Sequence, residues 1–173
     1  PADLPAIRSI LCEAFESDAE SRLVDALRES GNLLLSLVAE EASEVVGHVA
    51  FSPVRICAES DESSGITLGR LERSVTAAGL APLAVYETHR RRGTGGQLVE
   101  AGLKACRELG YQYVVVLGEP AYYQRFGFRS ASEWQLLNEY GAGDEFMALE
   151  LQPDALSGVS GLARYGSEFA EFS

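Results

Sequence analysis

Apolar positions along the chain fall into alternating helical and extended patterns. Residues 3–16 place Ile7, Ile10, Leu11, Ala14 and Phe15 at helical spacing behind Asp3, a candidate N-cap. A second helix is predicted from Asp18 to Ser30, with Leu23, Val24 and Leu27 on its apolar face. Ser17-Asp18-Ala19-Glu20 fits a capping box and Gly31 a left-handed stop. Residues 33–39 then read as a strand, 40–44 as a polar turn, and Val45 to Phe51 as an antiparallel partner strand. Val54 to Cys57 extends that strand after an expected break at Pro53. Residues 58–79 open on a polar, acidic run and carry no clear period.

The second half is sharper. Leu80 to Tyr86 reads as a buried strand, and residues 94–109 as an amphipathic helix ending at Gly110. Its predicted buried face is Leu98, Ala101, Gly102, Ala105, Cys106 and Leu109. Tyr111 to Leu117 is a strand apolar on both faces, which completes a parallel strand–helix–strand unit with an expected right-handed crossover. Pro120 starts a short helix over 121–126, stopped by Gly127, and Glu145 to Leu151 reads as a late strand. The tail after Pro153 reads as irregular chain packed over the body through Tyr165, Phe169 and Phe172.

Between the strand at 80–86 and its helix lies Arg90-Arg91-Arg92-Gly93-Thr94-Gly95-Gly96. A Gly-rich turn entering a helix aims backbone N–H groups and the positive end of the helix dipole at one point, an anion site. The turn lacks the Gly-x-x-x-x-Gly-Lys-Ser/Thr pattern and does not sit at a first strand–helix turn, so neither the P-loop nor the dinucleotide fingerprint fits.

Composition narrows the setting. A length of 173 residues with 46% hydrophobic positions suits one domain, 1–173. The formal net charge of −12 argues against a general nucleic-acid or anionic-membrane binder, and three of fourteen basic residues stand together at 90–92. Cys12, Cys57 and Cys106 are dispersed, as are His48 and His89, so no disulfide framework or metal site is expected. The cysteines read as core residues of a cytoplasmic protein, and His48 as a hydrogen-bonded sheet residue. No apolar run approaches the ~18 residues of a membrane helix, and no signal-peptide pattern opens the chain.

With its neighbours the turn resembles a known family. Arg90-x-x-Gly93-x-Gly95 matches the Arg/Gln-x-x-Gly-x-Gly/Ala signature of the GCN5-related N-acetyltransferase (GNAT) superfamily. Leu80-Ala-Pro-Leu-Ala-Val85 looks like that family's fourth strand. Tyr122-Tyr123-Gln124-Arg125-Phe126-Gly127-Phe128 looks like the aromatic–x–x–x–Gly-Phe segment after its fifth. The N-terminal helix pair, Val45-Val-Gly-His-Val-Ala-Phe51 and Gly118-Glu-Pro-Ala-Tyr-Tyr123 are similar to the bacterial YhbS-type branch, over roughly residues 4–151.

The resemblance implies an α/β (α+β) acyltransferase fold: a mixed, mostly antiparallel sheet flanked by helices, with splayed parallel central strands. It implies acetyl transfer from acetyl-coenzyme A to a primary amine of a small molecule or peptide, by direct attack in a ternary complex. The cofactor-binding residues are then Leu83, Ala84 and Val85, along which pantetheine pairs like a strand, and Arg90, Arg91, Arg92, Gly93, Thr94, Gly95 and Gly96 around the phosphates. Tyr123 takes the general-acid position, with Tyr122 as the other candidate and packing of both tyrosines as the alternative, and the Val85 N–H polarises the thioester. Glu87 or Glu119 could act as base through water, although family members often use no dedicated base. A different acyl-coenzyme A donor and a non-catalytic acetyl-coenzyme A sensor or interaction module are the alternatives. The acceptor and oligomeric state stay open, with a homodimer through an edge strand or the tail as one option.

Overall fold

A computed structural model describes residues 2–57 and 75–172. The reading of residues 58–74 as a polar excursion lies outside the described residues. Helices α1 (Leu4–Phe15) and α2 (Ala19–Ser30) precede the hairpin β1 (Leu35–Glu41) and β2 (Glu44–Cys57). Strand β3 (Val75–Val85), helix α3 (Thr94–Glu108) and strand β4 (Tyr113–Leu117) follow. Then come the short helix α4 (Pro120–Tyr123) and strands β5 (Arg129–Ser130), β6 (Leu136–Asn138), β7 (Phe146–Glu150) and β8 (Gly161–Arg164).

Strand order is β5-β7-β4-β3-β2-β8-β6, with β1 also on β2. Pairing is antiparallel except for the central β3–β4 pair and the edge pair β6–β8. The mixed, mostly antiparallel sheet expected from the resemblance is therefore present. Alternation along β2 sends Val49 and Phe51 toward α3, and Ala50 toward Ile7, Ile10 and Leu11 of α1. Helices thus cover both faces.

Several boundaries and faces differ from the sequence reading. The β1–β2 turn is tighter, with Ala42 and Ser43 at φ 50° and 66°. Asp3 and Asp18 occupy N-cap positions without side-chain cap bonds, and Ser17 Oγ instead accepts from Ala19 N–H at 3.3 Å. Pro53 does not break β2. The Phe51 carbonyl accepts from Leu34 N–H on the β1 side, and Pro53 faces the same edge two residues on. There β1 has ended and β8 begins only at the Arg55–Arg164 pair, so no ladder bond needs the missing N–H. The same free edge accepts Gly161–Arg164, which makes β8 a strand where irregular chain was expected.

Helix α3 buries Leu98, Val99, Gly102, Leu103 and Cys106, whereas Ala101 and Leu109 are exposed. Gly102 is required there, because an added Cβ would lie 2.3 Å from Phe51 Cε2. Gly102→Val should overpack this contact and cost about 2 kcal/mol, lowering the melting midpoint by roughly 4–8 °C. An unchanged midpoint by calorimetry would contradict this packing.

Cys106 is buried, with its thiol pKa pushed up to about 12 by desolvation, while Cys57 is half-buried and Cys12 is exposed, against the expectation of three core cysteines. His48 is fully buried and Ser36 Oγ lies 2.9 Å from its Nε2, while Nδ1 has no partner among the described residues. Burial, and then the charge of Arg28, lower its pKa from 6.5 to about 4. A base with a depressed folded pKa favours folding above its unfolded pKa, and that contribution is lost as pH falls through the folded value. Stability should therefore drop from pH 6.5 toward 4, by an order of 3 kcal/mol from this group. Urea midpoints compared with those of His48→Gln should show the shallower acid slope in the variant.

Candidate active site

β3 and β4 pair only from Ala78–Val114 to Leu80–Val116. Just beyond, a bulge at Ala81–Pro82 faces Ala50 of β2, and β3 runs on to Val85 without β4. Tyr86 N–H donates to Val46 O on the β2 side. By the two-residue period, Leu83 and Val85 present their backbone groups to the opposite, open edge. A strand with one edge left open, beside a parallel neighbour that has diverged, is a receptor for an extended amide-bearing chain.

The chain turns back at the end of this edge. Arg90 Nε donates to Val85 O at 3.0 Å and so fastens the turn to β3. Arg91 (φ 62°) and Gly93 (φ 85°) take left-handed conformations. The first intrahelical bond of α3 runs from Gln97 N–H to Gly93 O at 3.0 Å, and Gly93 makes no side-chain cap. The N–H groups of Thr94, Gly95 and Gly96 therefore sit at the helix start as donors without intrahelical acceptors. A cleft of about 520 Å³ opens between this turn and the β3 edge.

Its walls bring together the predicted Leu83, Ala84, Val85, Arg90, Arg91, Gly93, Gly95 and Gly96. Arg92 is instead directed to Glu41, 3.5 Å away and shared with His89, and Thr94 does not line the cleft. Two lining residues were missed, Tyr122 and Arg125. The Arg125 guanidinium stacks 4.2 Å from the Tyr122 ring centroid and its Nε donates to Tyr122 O at 3.1 Å. Their i, i+3 spacing was the available signal. Arginines 90, 91 and 125 and the free helix amides converge on one opening, which suits a polyanion.

A second cleft of about 400 Å³ lies on the other side of Leu83, which lines both. Tyr123 is on its wall and is 8% exposed. Its ring packs edge-on to Tyr122 and Phe128 at 5.0 and 5.6 Å. Gly118 makes room, since a Cβ there would lie 2.4 Å from Tyr123 Cε2. Burial, and then neighbouring Tyr122, raise the phenol well above the usual pKa of 10, so it holds its proton at neutral pH. Glu87 and Glu119 are exposed and line neither cleft; the Glu87 N–H donates to Glu13 Oε1 at 3.0 Å, and the Glu119 carbonyl accepts from Tyr122 N–H and Tyr123 N–H. Glu20 does line the second cleft and carried no local sequence signal for such a role. Among the described residues no group of three or more His, Cys, Asp or Glu is arranged to hold a metal, and no helix is long and apolar enough to cross a membrane.

Residues 4–128 match the family model described as "Acetyltransferase (GNAT) family". The uncharacterized N-acetyltransferase YhbS of Escherichia coli K12 is 42% identical over 174 residues, 99% of this chain and 96% of that protein. The crystal structure of E. coli YhbS in complex with CoA superposes with a TM-score of 0.86 at 41% identity, covering 100% of this chain and 89% of that one. A GNAT acetyltransferase from Brucella melitensis in complex with acetyl-CoA gives 0.74 at 34% identity, with 98% and 93% coverage. The splayed strands, the arginine–glycine turn and the match across most of the length agree: this chain belongs to the GNAT family of N-acetyltransferases.

Proposed function

We propose that the chain, read as one domain over 1–173, transfers an acetyl group from acetyl-coenzyme A to a primary amine in a ternary complex. The observation that carries this is the meeting of two clefts at Leu83, with Tyr123 on the wall of the second. Binding of CoA and acetyl-CoA by the E. coli and Brucella relatives supports the choice of donor. The free amides of Gly95 and Gly96, with Arg91 and Arg125, would hold the pyrophosphate. The open edge at Val85 and Leu83 would pair with the pantetheine amides, and the Leu83 N–H, where the two clefts meet, would polarise the thioester carbonyl.

A neutral amine in the second cleft attacks the carbonyl carbon, forming the C–N bond as the C–S bond breaks. Tyr123 gives its phenolic proton to the departing sulfur and recovers one from the acylated nitrogen. The amine's proton thus ends on the coenzyme A thiol, and no covalent enzyme intermediate is needed. Initial rates over both substrates, followed by thiol release across amines, amino acids, polyamines and peptides, test this reading. Intersecting double-reciprocal lines are expected. Parallel lines would point to an acyl-enzyme, and donor binding without thiol release for any amine would favour the sensor.

A further inference from the structure

The second cleft has a composition unlike the rest of the surface. Among the described residues five large hydrophobic side chains are notably exposed, and three of them border this cavity: Phe15 (38%), Leu117 (40%) and Phe172 (37%). Tyr140 and Phe169 extend the same wall. The C-terminal contribution is held in place from α2. Arg22 pairs with Glu171 at 2.9 Å, Asn32 Nδ2 donates to Glu168 at 2.8 Å, and Phe169 packs on Leu23 and Leu27. Glu20 is the one charged residue among those lining the cavity. Ser17 Oγ donates to its Oε2 at 3.1 Å, and no cation among the described residues pairs with it.

We infer that the acceptor is a primary amine carried on an aromatic or branched apolar body, and that Glu20 selects it by its positive charge. The inference rests on the acetyl-transfer reading and names the substrate of that same site. An apolar body of the right size covers the exposed Phe15, Leu117 and Phe172 and removes their surface from water. The aromatic faces also favour a cationic head. The ammonium reaches the carboxylate on entry, loses a proton to water, and the neutral nitrogen then attacks near Leu83. An acceptor bearing its own carboxylate or phosphate would meet Glu20 with no lysine, arginine or histidine on the wall to offset it. A small polar amine would leave the aromatic wall wet.

The test compares 2-phenylethylamine, isopentylamine, ethanolamine, phenylalanine and spermidine at saturating acetyl-coenzyme A. The expected kcat/KM for 2-phenylethylamine exceeds that for ethanolamine and for phenylalanine by about 100-fold. Glu20→Gln should raise the 2-phenylethylamine KM about tenfold with the KM for acetyl-coenzyme A unchanged. Phe172→Ser, at an already exposed position, should erode the preference for the apolar amines. Ethanolamine, phenylalanine or spermidine reacting as well as 2-phenylethylamine overturns the proposal. So does failure of both apolar amines to react, or an unchanged KM in Glu20→Gln. Calorimetry with acetyl-coenzyme A separates the two levels: no donor binding sinks the acetyl-transfer reading, whereas donor binding without the amine preference sinks only the acceptor class.

Discussion

Gly95→Leu is expected to weaken acetyl-coenzyme A binding at least ~100-fold, about 2.7 kcal/mol. A Cβ at this position lies 2.7 Å from Tyr122 Oη. That ring cannot readily yield, being stacked by Arg125 at 4.2 Å and met edge-on by Tyr123 at 5.0 Å. The remaining leucine atoms would fill the space in front of the free α3 amides. Gly93→Ala is the informative contrast. Nothing lies within 4 Å of a Cβ at Gly93, so only its φ of 85° opposes substitution. Its expected cost is about 1–2 kcal/mol of backbone strain, without a blocked cleft. Calorimetric titration with matched melting midpoints checks both. Equal affinities for Gly95→Leu and the wild type would put the donor phosphates somewhere else.

Tyr123→Phe should lower kcat by about 10²–10³-fold with acetyl-coenzyme A affinity within roughly threefold. Loss of a proton donor acts on the leaving sulfur, after the donor is bound, so the effect belongs in kcat. The raised phenol pKa fixes the sign of the pH dependence. Tyr123 stays protonated as pH climbs through the ordinary phenol value, and its acid function is lost only above about pH 10. The wild-type rate should therefore rise with pH as the acceptor deprotonates and show no fall before that point. A kcat unaffected by the phenylalanine substitution would remove the acid role.

What could be read from the sequence was local. The arginine–glycine turn, α3 and the Tyr122–Phe128 segment each carry their signal in a few contiguous residues, and the structure brings them to one cleft. Even there, side-chain roles divide. Three adjacent arginines look equivalent along the chain, yet Arg90 fastens the turn to Val85 O, Arg91 lines the cleft and Arg92 pairs with Glu41. The second cleft was illegible for a topological reason. Phe15, Glu20, Leu83, Tyr123 and Phe172 come from five places in the chain, and a tail aromatic has no local pattern naming its cavity. Likewise β8 and the unbroken β2 depend on one non-local fact, the end of β1 opposite Phe51, which frees the edge that both exploit.

The most direct measurement is a crystal structure of this chain with acetyl-coenzyme A. Pyrophosphate oxygens are expected within about 3.2 Å of the Gly95 and Gly96 amides, pantetheine along Leu83–Val85, and the sulfur within reach of the Tyr123 hydroxyl. A diphosphate bound away from the α3 N-terminus, or a thioester remote from Tyr123, would contradict it.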